Sequence, residues 1–143
     1  IMATLTVSIS ESVTLNGKER GSVNTTDITG VTLVNDRIVN VGTAEQSLLL
    51  FDTAAAAGQF ADSTVDYLRI TNLDGTNFVS LRVTAGNDEY FVKITPGDSF
   101  VLFETVMDAD SASGVATMSL ANIDSIKAKA DTAACDVEIF VAA

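Results

Sequence analysis

Histidine and tryptophan are absent from this chain, and cysteine and proline occur once each, as Cys135 and Pro96. Without histidine the usual general base, the commonest zinc ligand and the side chain that titrates near neutrality are all missing. A lone cysteine forms no intrachain disulfide and builds no thiolate metal cluster. Serine and threonine are plentiful, but a nucleophilic hydroxyl needs a base beside it, so most hydrolase and metalloenzyme chemistry is disfavoured and no enzyme is expected. Basic residues are scarce: 8 Lys and Arg against 19 Asp and Glu give a net charge of −11. Such a charge repels phosphate backbones and anionic lipid, and neither nucleic acid nor a membrane is expected as a partner. Long apolar runs are lacking too, since Leu48 to Phe51 and Ala54 to Ala57 fall far short of the ~20 residues of a membrane helix. The start, Met2-Ala3-Thr4-Leu5 behind Ile1, carries no basic or long apolar leader and reads as untargeted. Gly75, Gly86 and Gly97 fall between apolar runs, so no glycine opens a phosphate-cradling loop.

What is present is strand patterning. The 143 residues read as one β domain, 1–143, with enough chain to bury roughly two thirds of its unfolded surface. Between Val65 and Phe103 four runs rich in Val, Ile, Phe, Tyr and Thr are separated by Asn72 to Asn77, Ala85 to Asp88, and Pro96-Gly97-Asp98. Each gap holds the Gly, Asn, Asp or Pro that a reversal needs, and the spacing predicts a β-meander. Val79, Leu81 and Val83 share one parity and are expected to face the core with Val92 and Ile94.

From Ala3 to Leu15 apolar residues alternate with Ser and Thr, broken only at Glu11, which predicts a half-buried strand or a bent strand pair, with a bulge, bend or rim at that point. Asn16-Gly17 is the strongest two-residue hairpin signal in the chain. The polar return from Lys18 to Ile28 reads as an edge or an extended arm, at about 16–30. Further strands are predicted around Arg37 to Val41 and Ser47 to Phe51, with Asp52 to Ser63 a small-residue loop and Glu104 to Val115 a long exposed loop. Thr117 to Asp124 is ambiguous between strand and short helix. Ile126, Ala128 and Ala130 alternate with Lys127 and Lys129, and Cys135, Val137, Ile139 and Val141 alternate with Asp136 and Glu138, so two antiparallel strands are expected to end the chain. Eight or nine strands with little or no helix imply an all-β antiparallel sandwich of jelly-roll type, or a barrel.

Several constellations invite a chemical reading. Asp108 and Asp110 open a stretch with calcium-loop flavour, yet Ala112 and Ser113 stand where such a loop needs an oxygen ligand and a glycine, and no glutamate closes it. A solvated acidic loop is expected instead. Asp62, Asp66, Asp74, Asp88 and Glu89 supply carboxylates for a glycosidase pair, but most sit in turns where Asp serves local hydrogen bonding. Tyr67 and Tyr90 lie within strand patterns, where core packing is the expected use rather than a sugar platform. Arg69, Arg82 and Lys93 fall in successive strands, and a meander would align them as a basic strip for docking an acidic partner or a second copy, with Lys18 and Arg20 as further docking candidates on the arm. Cys135, in phase with Val137, reads as a small buried hydrophobe. No cofactor and no metal is expected.

Tyr67 to Asn72 with Asp74 to Phe78, then Phe91 to Phe100 closing on Pro96-Gly97, together with the Met-Ala-Thr-Leu-Thr-Val opening and its Asn-Gly hairpin, resemble a pattern seen in virion structural proteins of tailed bacteriophages. The resemblance covers about forty residues and carries no catalytic residues. It implies a capsid cement or decoration protein that binds and stabilises the phage head. Its implied partners are the major capsid protein and copies of itself, as a trimer. Its implied place is the capsid surface of the virion, after assembly in the host bacterial cytoplasm. A tail or fibre-associated subunit, and from a different class a glycan-binding β-sandwich module, are the alternatives.

Overall fold

Alternation of apolar and polar residues is satisfied along most of this chain by strands, and the computed structural model, which describes residues 1–109 and 118–143, contains no helix among them. The strands are β1 (Ala3–Glu11), β2 (Thr14–Leu15), β3 (Lys18–Glu19), β4 (Ser22–Val31), β5 (Val34–Val41), β6 (Gln46–Asp52), β7 (Phe60–Ala61) and β8 (Tyr67–Asn72). They continue as β9 (Val79–Ala85), β10 (Asp88–Ile94), β11 (Ser99–Leu102), β12 (Val106–Met107), β13 (Ala121–Asn122), β14 (Ser125–Ala130) and β15 (Cys135–Ala142). Eight of them, with β7 as a short parallel addition to β6, form two sheets ordered β10-β9-β14-β6-β7 and β11-β8-β15-β5. The expected all-β sandwich is therefore present. Pairing among the eight long strands is antiparallel throughout.

The inner faces meet in one core. Val79, Leu81 and Val83 of β9, Ile126 of β14, and Val137, Ile139 and Val141 of β15 are fully buried there, with Leu68 and Ile70 of β8. Val92 and Ile94 of β10 pair with Leu81 and Val79 and pack on the same side, as the alternation predicts. Cys135 lies in this core as a small hydrophobe, and burial pushes its thiol above the usual range.

The meander is not formed. Only β9 and β10 are hairpin neighbours; β8 and β11 pair with each other in the opposite sheet, so the segments after Asn72 and after Ile94 each carry the chain across the sandwich. Likewise the two closing strands do not pair: β14 lies between β9 and β6, and β15 between β8 and β5. Alternation dictates which residues face inward, and both arrangements satisfy it equally.

At the second crossing Pro96-Gly97 is the tight turn its residues predict: Asp98 N–H donates to Thr95 O at 3.0 Å and Gly97 takes φ 83°. It aims the chain from one sheet to the other rather than setting a hairpin register. Gly97→Val, held at a positive φ that a β-branched residue resists, should cost about 1–3 kcal/mol. Equilibrium urea denaturation measures this, and a value near zero would contradict the turn geometry.

The chain before β5 departs most from expectation. β1 and β4 pair along their length, β2 and β3 continue the pairing to an Asn16-Gly17 turn with φ 54° and 73°, and the result is one long hairpin. The arm thus begins at Ala3 rather than near residue 16. The half-buried strand expected over Ala3 to Leu15 is half-buried only at Leu5 and Val7, and residues 8–27 are all exposed. Leu5, Val7 and Ile28 anchor the base of the arm on Tyr67, Val101, Phe140 and Ala142, which lie on the outer side of the four-stranded sheet.

Candidate docking surfaces

Two surfaces follow from this arrangement: the free arm, and the outer face of the five-stranded sheet. The arm holds itself by cross-strand polar pairs on its Ser/Thr-rich side. Thr6 Oγ1 donates to Asp27 Oδ1 at 2.7 Å, and the hydroxyls of Ser8 and Thr25 meet at 3.1 Å. Near its end Gly21 approaches Glu11 so closely that a Cβ would lie 1.9 Å from the Glu11 carbonyl oxygen, so only glycine permits the two strands to pass there. The break in alternation at Glu11 coincides with the end of β1.

At the tip the three charged residues have different fates. The Glu19 carboxylate is consumed locally, accepting the Val13 N–H at 3.0 Å and the hydroxyls of Thr14 and Ser12 at 3.2 and 3.3 Å, which hold its pKa below the usual range. Lys18 and Arg20 have no ion pair and no side-chain hydrogen bond among the described residues. Around them Val13, Leu15 and Val23 are 52%, 56% and 67% exposed. The arm therefore ends in two unmatched cations among uncovered apolar side chains, carried on the order of 30 Å from its base by roughly ten extended residues.

The three remaining docking candidates do not form one strip. Arg69 points outward from the four-stranded sheet, where it donates to Glu138 Oε1 at 2.8 Å and to the Thr71 hydroxyl. The pairing raises the pKa of Arg69 and lowers that of Glu138. Arg82 and Lys93 point outward from the other sheet: Arg82 bridges Glu45 at 2.8 Å and Glu89 at 3.7 Å, and Lys93 sits 4.2 Å over the Phe78 ring. The strip fails because β8 and β9 belong to opposite layers. What local patterning missed are Lys127 and Lys129 on β14, which the pairing with β9 sets opposite Arg82 and Ser80, in the rows of Phe91 and Lys93. Their alternation with Ile126, Ala128 and Ala130 showed that they face outward. Nothing local shows which strand lies beside them.

Asp74, Asp108 and Tyr67, members of the chemical constellations, each have partners within the fold. Asp74 accepts the Thr76 and Asn77 N–H groups at 2.7 and 2.6 Å, which hold its carboxyl below the usual range as in an Asx-type turn. Asp108 accepts the Ser119 N–H at 2.6 Å, while Asp110 and the residues to Gly114 lie outside the described residues. No group of three or more acidic, His or Cys side chains able to hold a metal occurs among the described residues. Tyr67 is buried edge-on against Phe103 and Phe140, with ring centroids 5.3 and 6.0 Å away, and so makes no sugar platform.

Neither a family model, nor a curated protein, nor a solved structure matches the chain.

Proposed function

We propose that this chain is a non-enzymatic virion structural protein, a cement or decoration protein that binds the major capsid protein and stabilises the head of a tailed phage. The observation that carries the reading is the arm: a long, self-supported hairpin whose outer two thirds, residues 8–27, are exposed along their whole length, ending in unmatched Lys18 and Arg20 beside bare Val13, Leu15 and Val23. Exposed apolar patches rimmed by charge mark interaction sites, and an arm held clear of its own body reaches a neighbour. The wiring of the sandwich supports the same reading. Numbered along the chain from β5, without β7, β12 and β13, its strands stand 1-8-3-6 in one sheet and 2-7-4-5 in the other, the order of two Greek keys rolled together as in the jelly rolls that viral coats use. On this reading the protein acts at the capsid surface, as a homo-oligomer for which a trimer is the first expectation, after assembly in the host bacterial cytoplasm.

The test is occupancy on purified heads lacking tails. Lys18→Glu with Arg20→Glu should weaken binding by at least about tenfold, a loss of about 1.4 kcal/mol, while the melting temperature of the sandwich stays unchanged. A variant whose residues 8–25 are replaced by a short Asn-Gly turn should not bind at all. Full occupancy by the shortened variant, or no binding of the native chain to heads, would remove the proposal.

A further inference from the structure

Four of the eight basic residues in this acidic chain gather on one surface. On the outer face of the five-stranded sheet Lys93, Ser80 and Lys129 form one cross-strand row, and Phe91, Arg82 and Lys127 form the next. Directly opposed residues in such rows stand about 5 Å apart, so Arg82 and Lys127 repel each other unless something answers them. Glu45 and Glu89 answer Arg82 alone; Lys127 and Lys129 have no ion pair or hydrogen bond among the described residues. At the edge of this basic field, on the outermost strand β10 and next to Arg82, Phe91 is 65% exposed.

The four-stranded sheet carries the reverse pattern on its own outer side, along the edge strand β5 and beside the base of the arm. There Ile38 of β5 is 64% exposed, with Asp36 beside it on the strand and Glu138 and Asp136 on the neighbouring β15. Glu138 is matched by Arg69, but Asp136 takes only the Asn40 amide, at 2.9 Å, and has no cation.

We infer that the Phe91 face of one copy docks on the Ile38 face of a second copy, aromatic against aliphatic, with Lys127 and Lys129 meeting Asp36 and Asp136. The two faces belong to opposite sheets of one sandwich, so a single chain cannot satisfy its own charges this way. Pairing like face with like face sets cation against cation or carboxylate against carboxylate, which leaves the head-to-tail contact as the complementary one. Such a contact is heterologous and closes into a ring or continues as a chain, according to the rotation between copies. A polyanion fits the basic face poorly, because the molecule as a whole, at net −11, repels it. The contact needs only the purified chain, so its failure and the failure of the capsid reading are separate results.

Sedimentation velocity over a concentration series, at about 0.01 M and about 1 M salt, tests this, because the screening length falls between them from roughly 30 Å to roughly 3 Å. The native chain should associate at low salt, with an apparent dissociation constant at least about tenfold weaker at high salt. Two double variants, Lys127→Glu with Lys129→Glu and Asp36→Lys with Asp136→Lys, should each be monomeric, with Lys127→Gln and Lys129→Gln as a milder pair and circular dichroism confirming that all are folded. Mixing the two charge-reversed variants should restore association, since each then offers the other the face it lacks. A native chain that stays monomeric at low salt, a lysine-reversed variant that still self-associates, or a mixture that remains monomeric would each overturn the inference. So would a basic face that captures heparin through Lys127 and Lys129 while the chain stays monomeric.

Discussion

Asn72→Leu should cost about 2–5 kcal/mol, a large part of the stability of a domain this size. Asn72 is fully buried at the point where both crossings between the sheets meet. Its Nδ2 donates to Asn77 O at 2.8 Å and to Ile94 O at 3.2 Å, and its Oδ1 accepts the Asp74 N–H at 3.0 Å. The backbone of Asn72 also donates to Asp98 O at 3.0 Å and accepts from Gly97 N–H at 2.9 Å. One side chain thus ties the exit of β8 to the exit of β10. Leucine fills similar space and removes all three of these hydrogen bonds, each loss costing about 1–3 kcal/mol where water does not replace the amide. Asn72→Asp should do no better, because it sets a carboxylate oxygen against those carbonyls. Urea denaturation with an unchanged m-value reads the loss, and a change below about 1 kcal/mol would show that water substitutes for the amide.

Leu81→Ala should cost about 2–5 kcal/mol. Leu81 is fully buried on β9, with Val92 on one side and the small Ala128 on the other, so the neighbours offer little with which to refill the space. Thr84→Ala, on the outward side of the same strand, loses chiefly a hydroxyl contact of 2.7 Å to Ser125 and should cost about 1 kcal/mol. Equal losses at the two positions would overturn the assignment of faces.

Strand positions and faces were legible in the chain; neighbours were not. Val79 to Val83 and Cys135 to Val141 alternate cleanly, and each places its apolar set in the core. Yet Asn72 to Asn77 and Pro96-Gly97 carry turn chemistry that serves a hairpin and a crossing between sheets alike, because turn residues fix local φ and ψ and not the destination of the next strand. For the same reason the sequence pattern sets Arg69 beside Arg82 and leaves Lys127 apart. Arg82 and Lys127 meet through a pairing between strands far apart in sequence, which no local pattern encodes. The arm misled differently. Ala3 to Leu15 alternates as a half-buried strand does, but a hairpin standing clear of its sandwich keeps that alternation with only the residues nearest its base covered.

The position of β15 sets a timetable for folding. It is one of the two central strands of the β11-β8-β15-β5 sheet, lying between β8 and β5, and it leaves the ribosome after every strand it joins. At the usual 5–20 residues per second, β5 waits roughly 5–20 s for a partner about a hundred residues downstream. Until then β5 and β8 each present an unpaired edge, and β5 does so with Val34 and Ile38 uncovered on its outer side. Contacts this distant in sequence also place the closing step among the slow ones, in milliseconds to seconds once the chain is complete. The arm, whose partners lie close together near the start, can zip long before. A chain cut anywhere before Cys135 would keep its hairpin and most of its strands, and lose the strand around which one whole sheet closes.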